Sequence, residues 1–399
     1  MRRALVAGGS LGGLFAANML LRAGWDVTVA ERVTGPLAGR GAGIVTHPPL
    51  FEALRRAGVD PSATIGVPVQ GRVTFAPDGT TICDCIMPQV FTSWSRLHAL
   101  LTEAFPQDRI QRGRAVASFA QDPQGVTVSF TDATTERADL LVGADGIRSA
   151  VRRRLLPEVA PAYAGYIAWR GLTDESALSR RTHAALFDRF AFCLPEGEQM
   201  LGYPVAGEND ETEPGSRRYN FVWYRPVDAV DELPRLQTDA SGRTHPEGIS
   251  PTLLRPEIVA DMRADADRLL CQAFAEIVHA ARSPFFQPIF DLESPRMAVG
   301  RVALLGDAAF VARPHVGMGV TKAGQDAMAL MDALASHGTV EEALKAYQAE
   351  RLPAGASVIA RARHLGAYMQ AQLRSDEERA MAARYRTPEA VMRETAVVA

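Results

Sequence analysis

Residues 5–31 read LVAGGSLGGLFAANMLLRAGWDVTVAE, and this stretch decides the fold. Leu5, Val6 and Ala7 make a short buried strand, 14–23 a helix ended by Gly24, and 26–30 a second strand closing on Glu31. That order is one βαβ unit. The turn between strand and helix, Gly8-Gly9-Ser10-Leu11-Gly12-Gly13, comes close to a dinucleotide fingerprint. There, glycines make the turn, admit a pyrophosphate and let the helix meet the strand. Glu31 follows at about twenty residues, the spacing at which a carboxylate takes a ribose diol. Ser10 stands at the second glycine position.

A second junction lies in RVALLGDAAFVARPHVGMGVTKAGQD, residues 301–326. The apolar run 302–305 stops at Gly306 and delivers Asp307 to a sheet edge, where a carboxylate can accept hydrogen bonds from a polyol. Gly317 and Gly319 follow Pro314, and helical periodicity begins by Ala323. Bare backbone N–H groups at such a helix start favour an anion. A third junction, LLVGADGIRSA at 140–150, is a buried strand with Gly143, Asp145 and Gly146 at its end, followed by a helix through Leu156.

Between these junctions the pattern changes. Segments within 73–82 and 116–130 alternate as antiparallel strands do, and 163–224 is strand-like and rich in aromatics. Tyr166, Trp169, Phe190, Phe192, Tyr203, Phe221, Trp223 and Tyr224 fill strand core or line a pocket, and periodicity leaves both open. RGAGI at 40–44 is a flexible basic loop, with His47 just beyond it. Residues 233–249 read as an exposed loop, 253–281 as mainly helical, and 340–372 as helix broken near Pro353. The charged stretch 375–399 reads as an amphipathic partner helix or a partly disordered tail.

The 399 residues suffice for two or three domains, and 47% hydrophobic with 22% charged residues is ordinary globular composition. A net charge of -3 gives no footprint for nucleic acid. Arg152, Arg153 and Arg154 read as a solvated helix face. No segment has the length and apolarity to span a membrane, and glycines interrupt the early apolar block that a secretory signal needs. The four cysteines fit a reducing cytoplasm and form neither a disulfide framework nor a metal site.

The glycine turn with Glu31, LLVGADGIRSAVR and GDAAFVARPHVGMG together resemble the single-component FAD-dependent aromatic hydroxylases. YAGYIAWRG, NFVWY and Arg313-Pro314-His315 look like the dihydroxypyridine-hydroxylating subgroup. The resemblance implies an α/β fold in which an FAD-binding Rossmann-like βαβ domain (1–70, 95–162 and 290–345) interleaves with a mixed or antiparallel sheet domain for substrate (71–94 and 163–289). A C-terminal helical segment (346–399) follows. It assigns to FAD the residues Gly8, Gly9, Ser10, Leu11, Gly12, Glu31, Arg32, Arg40, Val45, Asp145, Gly306, Asp307, Pro314, Gly317, Met318, Gly319 and Val320.

It also implies NADH or NADPH as electron donor, molecular oxygen as co-substrate, and hydroxylation through a flavin C4a-hydroperoxide. The substrate would be a small hydroxylated aromatic or N-heteroaromatic ring. A base near that ring would raise the rate, and His47, His315 and Tyr203 are the candidates. Salicylate- or hydroxybenzoate-type hydroxylation, or a flavin oxidase or dehydrogenase on the same scaffold, are the alternatives, and a homodimer is left open. The chain departs from the family pattern at Phe310, where His commonly follows GDAA, at Thr321, where Asn is usual, and at Trp94, where many relatives carry Arg.

Overall fold

The structure, a computed structural model, describes residues 1–35, 37, 43–61, 65–246 and 248–397. Arg40 lies outside the described residues.

The βαβ unit pairs Arg3–Ala7 in parallel with Asp26–Glu31 across the helix Leu11–Arg22. Around it a six-stranded sheet runs Ala298–Val299, Val302–Leu304, Leu140–Gly143, Arg3–Ala7, Asp26–Glu31, Ile110–Arg112. Every pairing is parallel except that of the first two strands. All three junctions singled out in the sequence therefore end at the same edge. Residues of this sheet, including Leu5, Val6, Leu141 and Val142, form one core with Leu14 and Phe15 of the first helix and Leu330 of the helix Gly319–Ser336.

The second sheet has nine strands, in the order Phe310–Val311, Phe285–Glu293, Ala162–Asp174, Arg218–Pro226, Gln199–Val205, Arg189–Cys193, Val67–Phe75, Thr81–Ser93, Gly43–Val45. It thus takes in residues outside 71–94 and 163–289. Strand periodicity splits its aromatics between two faces. Trp169, Phe221 and Trp223 pack on one side against Pro256–Leu269 and Gln272–Ala280, while Tyr166, Phe190, Phe192, Tyr203 and Tyr224 pack on the other.

Three sequence expectations are corrected, one of them in part, and an open one is decided. The helix Val340–Gly366 runs through Pro353 unbroken. Pro353 and Ala349 both lie on its exposed face, so water can take the carbonyl that Pro353 leaves without an N–H, while buried Leu344, Tyr347 and Ile359 hold both halves to the core. Residues 233–249 are an exposed loop only in part: Glu232–Leu236 is helical with Leu233 and Leu236 buried, and Ile249 is buried, while 240–244 are exposed. Arg152 is 1% exposed rather than solvated, and donates to the carbonyls of Ala308 (3.0 Å) and Ile147 (2.6 Å). The tail forms the helices Asp376–Tyr385 and Pro388–Glu394 and folds back, burying Val391, Met392 and Ala396 against the aromatic face of the nine-stranded sheet.

Candidate active site and cofactor site

Where the parallel strands end, a cavity of about 640 Å³ opens. Gly8, at φ +105°, forms its floor, and a Cβ there would come within 2.4 Å of the Ala144 carbonyl oxygen. Glycine alone admits that approach. Ser10 begins the first helix without using its hydroxyl as a cap, and it lines the cavity with Leu11 and Gly12. The Glu31 carboxylate accepts the N–H groups of Gly9 and Val33, both at 2.8 Å. Each oxygen keeps a further lone pair for a diol.

Opposite, Gly306 and Asp307 complete the wall. Asp326 fixes them, accepting the Gly306 N–H at 3.0 Å while Arg351 (2.8 Å) and Lys322 (3.4 Å) neutralise it. Asp307 has no hydrogen-bond partner among the described residues and opens onto the cavity; desolvation pushes its carboxyl above the usual range. Gly319 and Val320 line the cavity at the start of an 18-residue helix, where the first N–H groups lack intrahelical partners. Diol acceptors at both ends, a glycine cradle between and a helix start make a set that fits a dinucleotide.

The aromatic face of the nine-stranded sheet closes against the segment Pro314–Val316 that precedes this helix. His315 is fully buried between Tyr166, whose hydroxyl lies 2.8 Å from Nε2, and Tyr224, whose ring lies 4.2 Å away. Arg313 holds Tyr166 in turn and is itself matched by the Asp291 carboxylate (2.8 Å) and Gln370 (2.7 Å). Tyr203 stacks on Phe91 at 4.1 Å.

Residues 2–179 and 289–362 match the family described as FAD binding domain, and 163–291 match FAD binding domain-like. The 2,6-dihydroxypyridine 3-monooxygenase of Paenarthrobacter nicotinovorans is 32% identical, over 92% of this chain and 91% of its own. The chain belongs to the FAD-dependent aromatic monooxygenases. In this flavoprotein family, the solved 2,6-dihydroxypyridine-3-hydroxylase from Arthrobacter nicotinovorans superposes with a TM-score of 0.86 at 32% identity, covering 92% of this chain and 93% of that one. A Klebsiella pneumoniae protein solved with FAD and uric acid gives 0.77 at 25% identity, covering 98% and 95%.

For this monooxygenase, the structure gathers Gly8, Ser10, Leu11, Gly12, Glu31, Arg32, Asp145, Gly306, Asp307, Gly319 and Val320 around this one cavity. Gly9 stands behind, its N–H on Glu31 and its carbonyl accepting from His98 Nε2 (3.1 Å). Asp145 is half committed elsewhere, since its Oδ2 accepts from Ala150 N (2.7 Å) at the next helix start. Val45 packs against the aromatic face, and Met318 packs with Val316, Ala362 and Leu365. Pro314 starts the turn carrying His315, and Gly317 leaves it at φ +63°.

The three candidate bases differ. Burial and the nearby Arg313 and Arg170 push His315 down to about 3, so it stays neutral. Burial pushes the Tyr203 phenol up, making it a hydrogen-bond donor and no base. His47 is lowered mainly by burial, and its Nε2 donates to the Gly317 carbonyl at 3.2 Å, leaving Nδ1 its lone pair. Sequence reasoning missed His98, which stacks on Trp94 beside the cavity, and the polar atoms of the sheet face, Arg170, Gln199 and Asn220. Only their alternation with buried aromatics could have signalled them.

Proposed function

We propose that this monooxygenase hydroxylates a small aromatic or N-heteroaromatic ring that already carries a hydroxyl group, a dihydroxypyridine-like compound. NADH or NADPH is the electron donor and molecular oxygen the co-substrate. One observation carries the reading: the aromatic sheet face, with Tyr203, Tyr224 and His315, closes on the same short segment whose next residues line the FAD cavity. A ring bound there lies beside the cofactor and away from water. The substrate of the Paenarthrobacter relative supports the choice of ring.

FAD, when bound, supplies the electrons and the activated oxygen. Glu31 and Asp307 would hold its sugar and ribityl hydroxyls, and the N–H groups at Gly319 and Val320 would favour negative charge on its ring. His47, neutral with Nδ1 open, takes the proton from the ring hydroxyl, and the resulting oxyanion enriches the carbon to be hydroxylated. Tyr203 stays protonated and donates to a ring oxygen. The free cysteines suit a reducing cytoplasm.

The test is stopped-flow reduction of the yellow holoenzyme by NADH and NADPH, with hydroxypyridines and hydroxybenzoates, under labelled oxygen. One compound should speed flavin reduction by about tenfold or more and return carrying the label. Product formed without label would make the protein an oxidase or dehydrogenase and end this reading.

A further inference from the structure

Arg170 lies on the strand Ala162–Asp174, two residues from Ala168 and Leu172, and so shares the site face of the sheet. Register fixes its neighbours. Arg170 pairs with Val222 and Val222 with Leu201; Asn220 and Tyr224 flank Val222 on the same face, and Tyr203 pairs with Asn220. The guanidinium therefore rises between two tyrosines, and its charge bears on Tyr203, Tyr224 and His315 alike.

Of the arginines around this face, Arg72, Arg218 and Arg313 are matched, Arg218 by the Ala206 and Gly207 carbonyls. Arg72 donates to the Met392 and Thr395 carbonyls, and Arg313 is held by Asp291 and Gln370. Arg170 has no hydrogen-bond or ion-pair partner among the described residues, and its Nε is sealed from solvent. Around it Asn220 Nδ2, Gln199 Oε1 and His315 Nδ1 are buried and equally without partners, and no partner is recorded among the described residues for the Tyr203 and Tyr224 hydroxyls. Arg170 is partly buried with its Nε sealed from water and no counter-charge beside it among the described residues, and each hydrogen bond left unmade there is costly. Groups left in that condition on one face of the sheet point to a ligand that matches them there.

We infer that Arg170 is the substrate's anion receptor: it binds an oxyanion carried by the aromatic ring, an ionised ring hydroxyl or a ring carboxylate, and makes the site prefer monoanionic rings to neutral ones. The inference rests on the hydroxylated-ring reading above and adds to it a charge for the ring and a residue that selects it.

Two pairs of probes titrated into the holoenzyme, followed by flavin absorbance, test it: 2,6-dihydroxypyridine against 2,6-dimethoxypyridine, and 4-hydroxybenzoate against its methyl ester. In the wild type, the charged member of at least one pair binds about tenfold or more tighter, and that pair tells a hydroxyl oxyanion from a carboxylate. Arg170→Met weakens the charged member by about 100-fold and the neutral one by less than about threefold, with FAD content unchanged. Arg170→Lys falls between, and carries the comparison if the Met variant fails to fold. An Arg170→Met enzyme that keeps the wild-type charged-to-neutral ratio, or a wild type that prefers the neutral rings, overturns the inference alone. A wild type that binds neither member of either pair overturns the hydroxylated-ring reading with it.

Discussion

The His47 imidazole donates through Nε2 to the carbonyl of Gly317, 270 positions along the chain, at 3.2 Å. Gly317 can aim that carbonyl because its φ is +63°. The bond fixes the tautomer, and with it the nitrogen available to a substrate. Burial, the largest influence, lowers the pKa from its usual 6.5.

A base acts when unprotonated, so wild-type turnover should rise with pH through an inflection below about 6.5. His47→Gln should lower kcat by about 100-fold and flatten that acid limb, which rate measurements across pH 5–8 would show. A variant with the wild-type profile would remove His47 as base.

Asp307 has no hydrogen-bond partner among the described residues and lines the candidate cofactor cavity. Asp307→Ala should weaken FAD binding by about tenfold or more, read as flavin retained after dialysis. Unchanged retention would place the ribityl contact elsewhere.

His315 titrates near 3 in the folded protein against 6.5 when unfolded. The unfolded chain therefore binds the extra proton first. The stability from keeping this ring neutral is complete above about pH 6.5 and lost as pH falls toward 3, on the order of 4 kcal/mol in all. His315→Gln, which cannot be charged, should show a shallower loss of denaturant midpoint between pH 6.5 and 4. Parallel curves for the two proteins would contradict the assignment.

Arg72, fully buried, donates to the carbonyls of Met392 at 2.5 Å and Thr395 at 2.7 Å. Arg72→Met would leave both without that donor, lowering stability by about 2–4 kcal/mol. It should also hasten tryptic cleavage between Arg374 and Arg386, as mass spectrometry of a timed digest would reveal. Equal cleavage rates would mean that other contacts hold the tail.

The cofactor half of the site was legible because its parts are local. A strand, a glycine turn, a helix and Glu31 fall within 27 residues, and each has a signature of its own. The substrate half was not. Which aromatics share a face with His315 depends on strand register, so Trp169 and Arg170, adjacent in sequence, serve opposite faces. Arg152 read as solvated because its neighbours are charged, yet Val151 and Arg152 turn inward on the helix Ala150–Leu155. The tail was left between a partner helix and disorder because its few apolar residues, Val391, Met392 and Ala396, are diluted by charge.

That tail brings a property of a different kind. The Ala396 N–H bonds the His315 carbonyl at 2.7 Å, and Arg72 reaches across 320 positions to Met392. Links of this span close very long loops, whose entropy is lost before any contact is gained. The wall around His315 is thus completed by residues 391–396, far along the chain from the strands that they cover.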